Sequence, residues 1–479
     1  ITRICAEGDT TMSDDKKQQP PTEDQQSPQD TNPNKAKAAP VGKTSRFFKL
    51  AGMTASVAGS YAATRIKSIF QSKEDAERDR AAAHKASGER IAETLGQLKG
   101  AVMKVGQMAS IASDLLPREF TEALGTLQKE APPMEFAVIA EQIKKELGAP
   151  PEELFEFFDE EPFAAASIGQ VHRATLEDGQ EVVVKVQYPG VDDACDSDLA
   201  HLKVALRASG LVNVRKRDLD AIFAEIRDRL HEELDYRQEA KNAQLFGAYY
   251  KDYPHIVVPK VISERSTQRV ITLTFEQGDP IQVVRPPRYP QEIRDQLGVQ
   301  FFHLVCSQIF HLKAVHADPN PGNFAFRPDG TIVMYDFGCV KYLQPAIIEA
   351  YRDTIVCGLR EDYDGVEDGL RRLGVRELEG PPVEYDYYKE WRDLFLTPFI
   401  QKDPFDYGRS TLHNEVIARI PGVMKRLASF KPPAELTFLD RAIVGHYGNL
   451  RKIRAKGRFL EILQQYIDTM PPSTPPEDA

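Results

Sequence analysis

The chain has 479 residues and a formal net charge of −11. That length exceeds what one compact core usually holds, so a two-lobed body with tails is expected, and the acidic balance argues against a general nucleic-acid binder. Five cysteines (Cys5, Cys195, Cys306, Cys339 and Cys357) show no metal or disulfide spacing, which favours a reducing compartment, and no run reaches the ~18 apolar residues of a membrane span.

Residues 1–42 are rich in Gln, Pro, Asp and Lys and lack the apolar surface to fold alone. Asp14, Asp15, Glu23 and Asp24 speak against a mitochondrial transit peptide. The chain begins with Ile1, and Met12 precedes a plausible start, so the stretch before Met12 reads as upstream translation or a fragment end. Residues 43–87 differ. Lys43, Arg46, Lys49, Arg65 and Lys67 occur with no acidic residue among them, interleaved with Phe47, Phe48, Leu50 and a small-residue run. Such a basic amphipathic stretch lies on an anionic membrane or packs as an ordinary terminal helix.

Residues 88–150 read as a helical extension. Ile91, Leu95, Leu98, Val102, Val105 and Ala109 recur at helical spacing. Gln97, Gly100, Lys104 and Gln107 share another face, and each helical glycine costs about 1 kcal/mol relative to Ala. Either something approaches that face closely or solvent tolerates it. Helices are expected at 119–129 and 136–147, before Pro150-Pro151.

A small, strand-rich lobe is expected over 151–279. Phe163 to Leu176 and Glu181 to Gln187 flank Asp178-Gly179, a hairpin signal. Lys185 interrupts the second strand. It either faces solvent or grips the α- and β-phosphates of a nucleotide, as the lysine of a kinase small lobe does. Residues 218–246 read as one long helix. At its end Asp235 and Glu239 are i,i+4 like charges that solvent or a cation, Lys185 or Lys104, would relieve. Strands at 256–262 and 268–275 follow. Thr274, Phe275, Glu276 and Gln277 then stand where a kinase places the hinge whose backbone bonds an adenine.

The large lobe, 280–465, opens with an apolar helix through Ile293, Leu297, Phe301, Leu304, Val305, Ile309 and Leu312. His316-Ala-Asp-Pro-Asn-Pro-Gly-Asn323 then sets Asp318 and Asn323 in the D-x-x-x-x-N spacing of a kinase catalytic loop, and Asp336-Phe337-Gly338 follows a strand-like run. Asp-Pro-Asn-Pro-Gly alone is good turn chemistry. Together and in this order the two motifs meet the needs of phosphoryl transfer: one carboxylate for the nucleophile, and an amide and a second carboxylate for Mg²⁺ on the phosphates. Residues 466–479 form a Pro-rich acidic tail.

The chain resembles the UbiB-like atypical kinases, the family associated with coenzyme Q (ubiquinone) biosynthesis, over about residues 88–460. Lys104-Val-Gly-Gln107 matches that family's K-x-G-Q helix, Ala164-Ala-Ala-Ser-Ile-Gly-Gln170 its alanine-rich nucleotide loop, and Val184-Lys-Val-Gln-Tyr-Pro-Gly190 its lysine strand. Glu233-Leu-Asp235 with Glu239 matches its E-x-D segment. The resemblance implies an α+β, two-lobed atypical protein-kinase-like fold with the N-terminal helical extension packed over the active site. It implies ATP or ADP with Mg²⁺ (or Mn²⁺) as cofactors. Lys185 would pair with Glu239 and hold phosphates, Asp318 would be the catalytic carboxylate, and Asn323 and Asp336 would ligate the metal. Ala164, Ala165, Ala166, Ser167, Ile168, Gly169 and Gln170 would cover the nucleotide. Lys104 and Gln107 would face the active site, with Lys104 near Glu233 and Asp235.

Two departures from ordinary protein kinases matter. No G-x-G-x-x-G is present, and after Gly338 there is no A-P-E element and little room for a peptide-binding segment. An ATPase or small-molecule kinase promoting ubiquinone assembly at a membrane therefore fits better than a protein kinase. A nucleotide-gated scaffold for lipid-modifying enzymes and a metabolite or antibiotic phosphotransferase are the competing readings. The expected partners are the nucleotide, anionic lipid and ubiquinone-biosynthesis enzymes, without nucleic acid; a homodimer is allowed. A cytoplasmic protein, or one peripheral on a bacterial inner membrane, is expected rather than a mitochondrial one.

Overall fold

Alternating apolar residues build the small lobe. In the computed structural model, residues 133–470 are described, except Ser167, parts of 192–233, Leu427 and 432–433; Gly52 and Ser56 are described as well. Every described residue belongs to one compact unit within 38–479. The K-x-G-Q helix with Lys104 and Gln107, the helix expected at 119–129, Ser167 and Glu233 lie outside the described residues. So does the basic segment apart from Gly52 and Ser56.

Helix α1, Phe136–Leu147, has the expected bounds and ends at Gly148 in the left-handed region. It buries Ile139 and Ile143 and packs on the small-lobe sheet. Arg269 Nη1 meets Glu146 Oε1 at 3.2 Å and fixes its end. The sheet has five strands: β1 (Phe157–Phe158), β2 (Ala164–Ala166), β3 (Gly169–Thr175), β4 (Glu181–Gln187) and, numbered after the two-residue β5 (Ile256–Val257), β6 (Val270–Thr274). The order is β1-β3-β4-β6, with β2 also on β3, and the pairs are antiparallel. Asp178-Gly179 turns β3 into β4, with Gly179 at φ 81°.

Three expectations are corrected here. The single strand at 163–176 is two strands, because β2 folds back on β3 as its own hairpin. The strand at 256–262 shrinks to β5 plus an isolated bridge between Val261 and Leu273. The long helix at 218–246 breaks. Leu234 is a turn, Asp235 is extended (φ −111°, ψ 92°), and α2 runs afresh over Tyr236–Tyr250. Competing bonds cause the break: Gln187 Nε2 donates to the Leu234 carbonyl at 2.9 Å, and the Asp235 side chain caps the Arg237 N–H.

The large lobe packs around α3, Gln291–Ser307, which continues as a π-turn over Gln308–Leu312 and stops at Lys313, φ 56°. Strand β7 (Ala314–His316) pairs with β10 (Val340–Tyr342), while β8 (Phe324–Phe326) and β9 (Ile332–Met334) pair beside β5. Helices α4 (Pro345–Leu359), α5 (Tyr363–Arg372), α6 (Tyr385–Ile400), α7 (Leu412–Met424), α8 (Ala434–Ile453) and α9 (Leu460–Asp468) complete the lobe. Its core joins Phe246, Phe301, Leu304, Phe326 and Phe337. Helix α2 links the lobes, since Tyr236 sits in the small-lobe cluster with Ile271 and Leu273 and Phe246 sits in the large-lobe core. Among the described residues no helix is long and apolar enough to cross a membrane.

Candidate active site

The period of two along β4 decides which way Lys185 points. Val182, Val184 and Val186 are fully buried, and Lys185 lies on the other face in register with Val171 of β3 and Ile271 of β6. There its Nζ donates to both Glu239 oxygens, at 2.9 and 3.0 Å, and to Asp336 Oδ2 at 3.1 Å. It also lies 4.9 Å from the Tyr236 ring centroid. Burial pulls the ammonium down, but the carboxylates of Asp336 and Glu239 and the neighbouring Tyr236 outweigh that and hold its pKa well above the ordinary lysine value. Lys185 therefore stays charged throughout the physiological range.

Glu239 and Asn242 project from adjacent turns of α2, so one helix holds both the lysine and the Asp336 segment. Glu239, 4% exposed, takes Lys185. Asn242 Nδ2 donates to the Phe337 carbonyl at 2.9 Å. Phe337 is buried against Phe246 and His316, which leaves Asp336 on the cleft side, 40% exposed, with its Oδ1 accepting from the Gly338 N–H at 2.9 Å.

The catalytic-loop segment hangs between β7 and β8. Buried His316 anchors its start: Gln308 Oε1 accepts from its N–H at 2.9 Å, and its Nε2 meets the Asp336 carbonyl. Asn323 Nδ2 donates to Asp318 Oδ2 at 2.9 Å and to the Asp318 carbonyl at 3.1 Å. The amide oxygen of Asn323 is then the atom left for a cation. With the Asp336 carboxylate it makes an all-oxygen donor set, which suits Mg²⁺ or Mn²⁺. Among the described residues no cluster of three or more His, Cys, Asp or Glu could hold a metal. A cation here would rely on phosphate and water for its remaining ligands, as Mg²⁺ on nucleotides does.

The alanine hairpin lies beside Lys185. Ala164, Ala165 and Ala166 pair with Val171, Gln170 and Gly169, and Ile168 is buried at the turn. A Cβ on Gly169 would stand 2.1 Å from the Val186 carbonyl oxygen, so only glycine lets β3 lie this close to β4. Phe163, 57% exposed, meets Phe275 edge-on at 5.9 Å and links the hairpin to the hinge.

Gln170 and Thr274, both expected at the nucleotide, turn their side chains away from Lys185. Gln170 is in register with Val186, on the face opposite Lys185. Its side chain is buried, accepting from the Met134 N–H and bonding His172 at 2.9 Å. Thr274, in register with Val182, likewise turns away, its Oγ1 accepting from the Lys260 N–H at 2.9 Å. Only the backbone of either residue can reach a ligand. Asp235 is held by Arg237, whose Nε and Nη2 each donate to the carboxylate at 3.0 Å, and this lowers its pKa.

A family model, the ABC1 atypical kinase-like domain, matches residues 126–369. This chain belongs to that family, the UbiB-like atypical kinases. It is 31% identical over 393 residues to the atypical kinase coq-8, mitochondrial, of Caenorhabditis elegans, covering 80% of this chain and 51% of that protein. It is 31% identical over 420 residues to the atypical kinase COQ8, mitochondrial, of Saccharomyces cerevisiae, covering 86% and 82%. The chain thus spans about half the length of the worm relative and most of the yeast one. Its fold superimposes with a TM-score of 0.58, at 30% identity, on the chain in the complex structure of Rv3197-erythromycin from Mycobacterium tuberculosis, covering 78% of this chain and 93% of that one.

In this atypical kinase, α8 supplies a set of contacts to the catalytic loop that sequence reasoning missed. Arg441 Nη2 reaches Asp318 Oδ1 at 3.5 Å, and Asn449 Nδ2 donates to the Pro319 carbonyl at 3.0 Å. Between them a Cβ on Gly445 would lie 2.0 Å from Pro319 Cγ. Residues 441, 445 and 449 form one face of α8, a periodicity visible in the sequence, but nothing local names its partner.

His446 packs under the same loop, 5.4 Å from Phe324 and 5.5 Å from Phe301. Burial, aided by nearby His316, pushes its pKa down to about 3. The unfolded state therefore binds a proton that the folded state refuses once the pH falls below about 6.5. This site alone should cost about 1.4 kcal/mol of stability per pH unit from there down to the folded pKa. A His446→Gln variant should show a shallower fall in thermal midpoint between pH 6 and 4. A fall parallel to wild type would remove His446 from the acid limb.

Proposed function

We propose that this atypical kinase binds a purine nucleotide with Mg²⁺ in the interlobe cleft and transfers or releases its terminal phosphoryl group in support of ubiquinone biosynthesis. The acceptor is a small molecule or lipid-associated compound at a membrane surface, rather than a protein. The observation that carries the reading is the meeting of Lys185, Glu239 and Asp336 within 3.1 Å beside the Asp318–Asn323 pair. That is the set of charges phosphoryl transfer uses for positioning and electrostatic stabilisation.

The roles follow from chemistry. Lys185, held charged and aimed by Glu239, grips phosphate oxygens. Asp318 accepts a proton from, or orients, the acceptor hydroxyl. Asp336 and the Asn323 amide oxygen would hold Mg²⁺ or Mn²⁺, which when bound neutralises phosphate charge. The alanine hairpin covers the phosphates, its Cβ atoms keeping the backbone further off than a glycine loop would. The shortness of the segment after Gly338, which reaches α4 at Pro345, supports a non-protein acceptor. The ubiquinone assignment draws on the coq-8 and COQ8 relatives, and the membrane surface on the basic residues of 43–70.

The test is ADP release from Mg-ATP by the purified chain, alone and with phenolic ubiquinone precursors or anionic-lipid vesicles. Release should need Mg²⁺, should rise with the precursors and vesicles, and should vanish in Asp336→Asn, which also loses Mg-ATP affinity. Tight Mg-ATP binding without release under every condition would replace this reading by the nucleotide-gated scaffold.

A further inference from the structure

Asp318 presents its two carboxylate oxygens to different partners. Oδ2 accepts from the Asn323 amide at 2.9 Å, and Oδ1 faces Arg441 Nη2 at 3.5 Å. Residues 319–322 are Pro, Asn, Pro and Gly, so the loop itself carries no positive charge. Asn320 gives its side-chain oxygen to the Gly322 N–H at 3.1 Å. Lys185 is held by Glu239 and Asp336. Among the described residues Arg441 is the one cationic side chain in ion-pair reach of Asp318. A helix pressed onto the loop delivers it: a Cβ on Gly445, one turn further along α8, would lie 2.0 Å from Pro319 Cγ, and Asn449, a turn beyond, donates to the Pro319 carbonyl at 3.0 Å.

As an ion pair the contact is poor. It is single, long and partly exposed, and such pairs add little to stability. Arginine carries five N–H donors in a planar fork, and Arg441 makes one hydrogen bond among the described residues. Phosphoryl transfer gives the other donors a use. The bond from the terminal phosphorus to the β,γ-bridging oxygen breaks, and its electron pair leaves on ADP. A bond forms from the acceptor oxygen, a hydroxyl or water, to phosphorus, and the acceptor's proton passes to Asp318. The phosphoryl oxygens carry negative charge towards a carboxylate as this happens, and a cation at that end offsets the repulsion. We propose that Arg441 is a catalytic residue whose guanidinium bridges Asp318 and the terminal phosphoryl group in transfer, an arginine finger supplied by α8 of the same chain. The inference rests on the phosphoryl-transfer reading above and adds a residue that this reading leaves out.

The experiment uses the full chain, wild type against Arg441→Gln, and reads three quantities: the dissociation constant of Mg-ATP, the single-turnover rate of ADP formation, and the gain in Mg-ADP affinity on adding fluoroaluminate, a planar stand-in for the phosphoryl group in flight. Arg441→Gln should bind Mg-ATP within about threefold of wild type, form ADP about 10²–10³-fold more slowly, and lose most of the fluoroaluminate gain. Free guanidinium should restore part of the rate of Arg441→Ala. A residue that merely ties α8 to the loop would leave the fluoroaluminate gain in place and would not be rescued by guanidinium. ADP formation by Arg441→Gln within about threefold of wild type, or a slower rate with the gain intact, overturns the inference and leaves the phosphoryl-transfer reading standing. If wild type binds Mg-ATP but shows neither turnover nor a fluoroaluminate gain, both fall together. Should Arg441→Gln not fold, Arg441→Lys decides: its ammonium lacks the fork, so a fluoroaluminate gain equal to that of wild type sinks the proposal, and a reduced one sustains it.

Discussion

Asp318→Asn is expected to slow single-turnover phosphate release by about 10²–10⁴-fold, the usual worth of a general base, with nucleotide affinity and thermal midpoint close to wild type. The carboxylate accepts from Asn323 at 2.9 Å on one oxygen and faces Arg441 at 3.5 Å on the other. An asparagine of the same shape keeps its oxygen towards the Asn323 amide and turns its own amide towards Arg441. It fills the same space but has no charge to draw the acceptor's proton. Loss of the partial Asp318–Arg441 ion pair costs little, since Arg441 is 37% exposed and such pairs are worth at most about 1 kcal/mol. Equal release rates in the two proteins would deny Asp318 its catalytic role and favour a binding protein.

The parts of the site that were legible in the sequence are those whose partners lie within a few residues. Asp318 and Asn323 bond each other across five positions, so the loop motif contains its own geometry. Lys185 stands inside a valine run, and a strand of period two must turn it away from the face that buries Val184 and Val186. The α1 bounds were equally local, written in apolar spacing and a C-terminal glycine.

What stayed hidden depends on register and on distant pairing. Gln170 belongs to a nucleotide-loop motif, yet its side chain points away from Lys185 because β3 meets β4 with Val171, not Gln170, opposite the lysine. A slip of one residue would have reversed that. The helix break at Leu234 needed the Gln187 side chain from β4, 47 positions away, to bond the Leu234 carbonyl. Arg441 lies 123 positions from Asp318, and its stretch of α8 otherwise reads as an ordinary amphipathic helix. The Tyr335–Glu276 bond likewise joins two segments that only the folded cleft brings together.

Lys185→Met should produce the largest loss of stability among changes at the site. It removes the cation to which both oxygens of Glu239, 4% exposed, are bonded. Breaking such a pair from one side costs about 3–5 kcal/mol, while Asp336, 40% exposed, can return to water. The penalty has a pH signature. In the variant the folded state raises the Glu239 pKa above its unfolded value. The cost is therefore fully present at neutral pH, shrinks as the pH falls through the carboxylate range, and is absent once both states are protonated. The double change Lys185→Met with Glu239→Gln removes both charges, and it should recover most of the stability while leaving nucleotide affinity as poor as in the single variant. Denaturant melts of wild type, both singles and the double at pH 5 and 7.5 close the cycle. Losses that simply add, or a Lys185→Met penalty that does not change with pH, would show that the Glu239 carboxylate finds another partner when Lys185 is gone, and the pair would then serve phosphate binding without holding the lobes together.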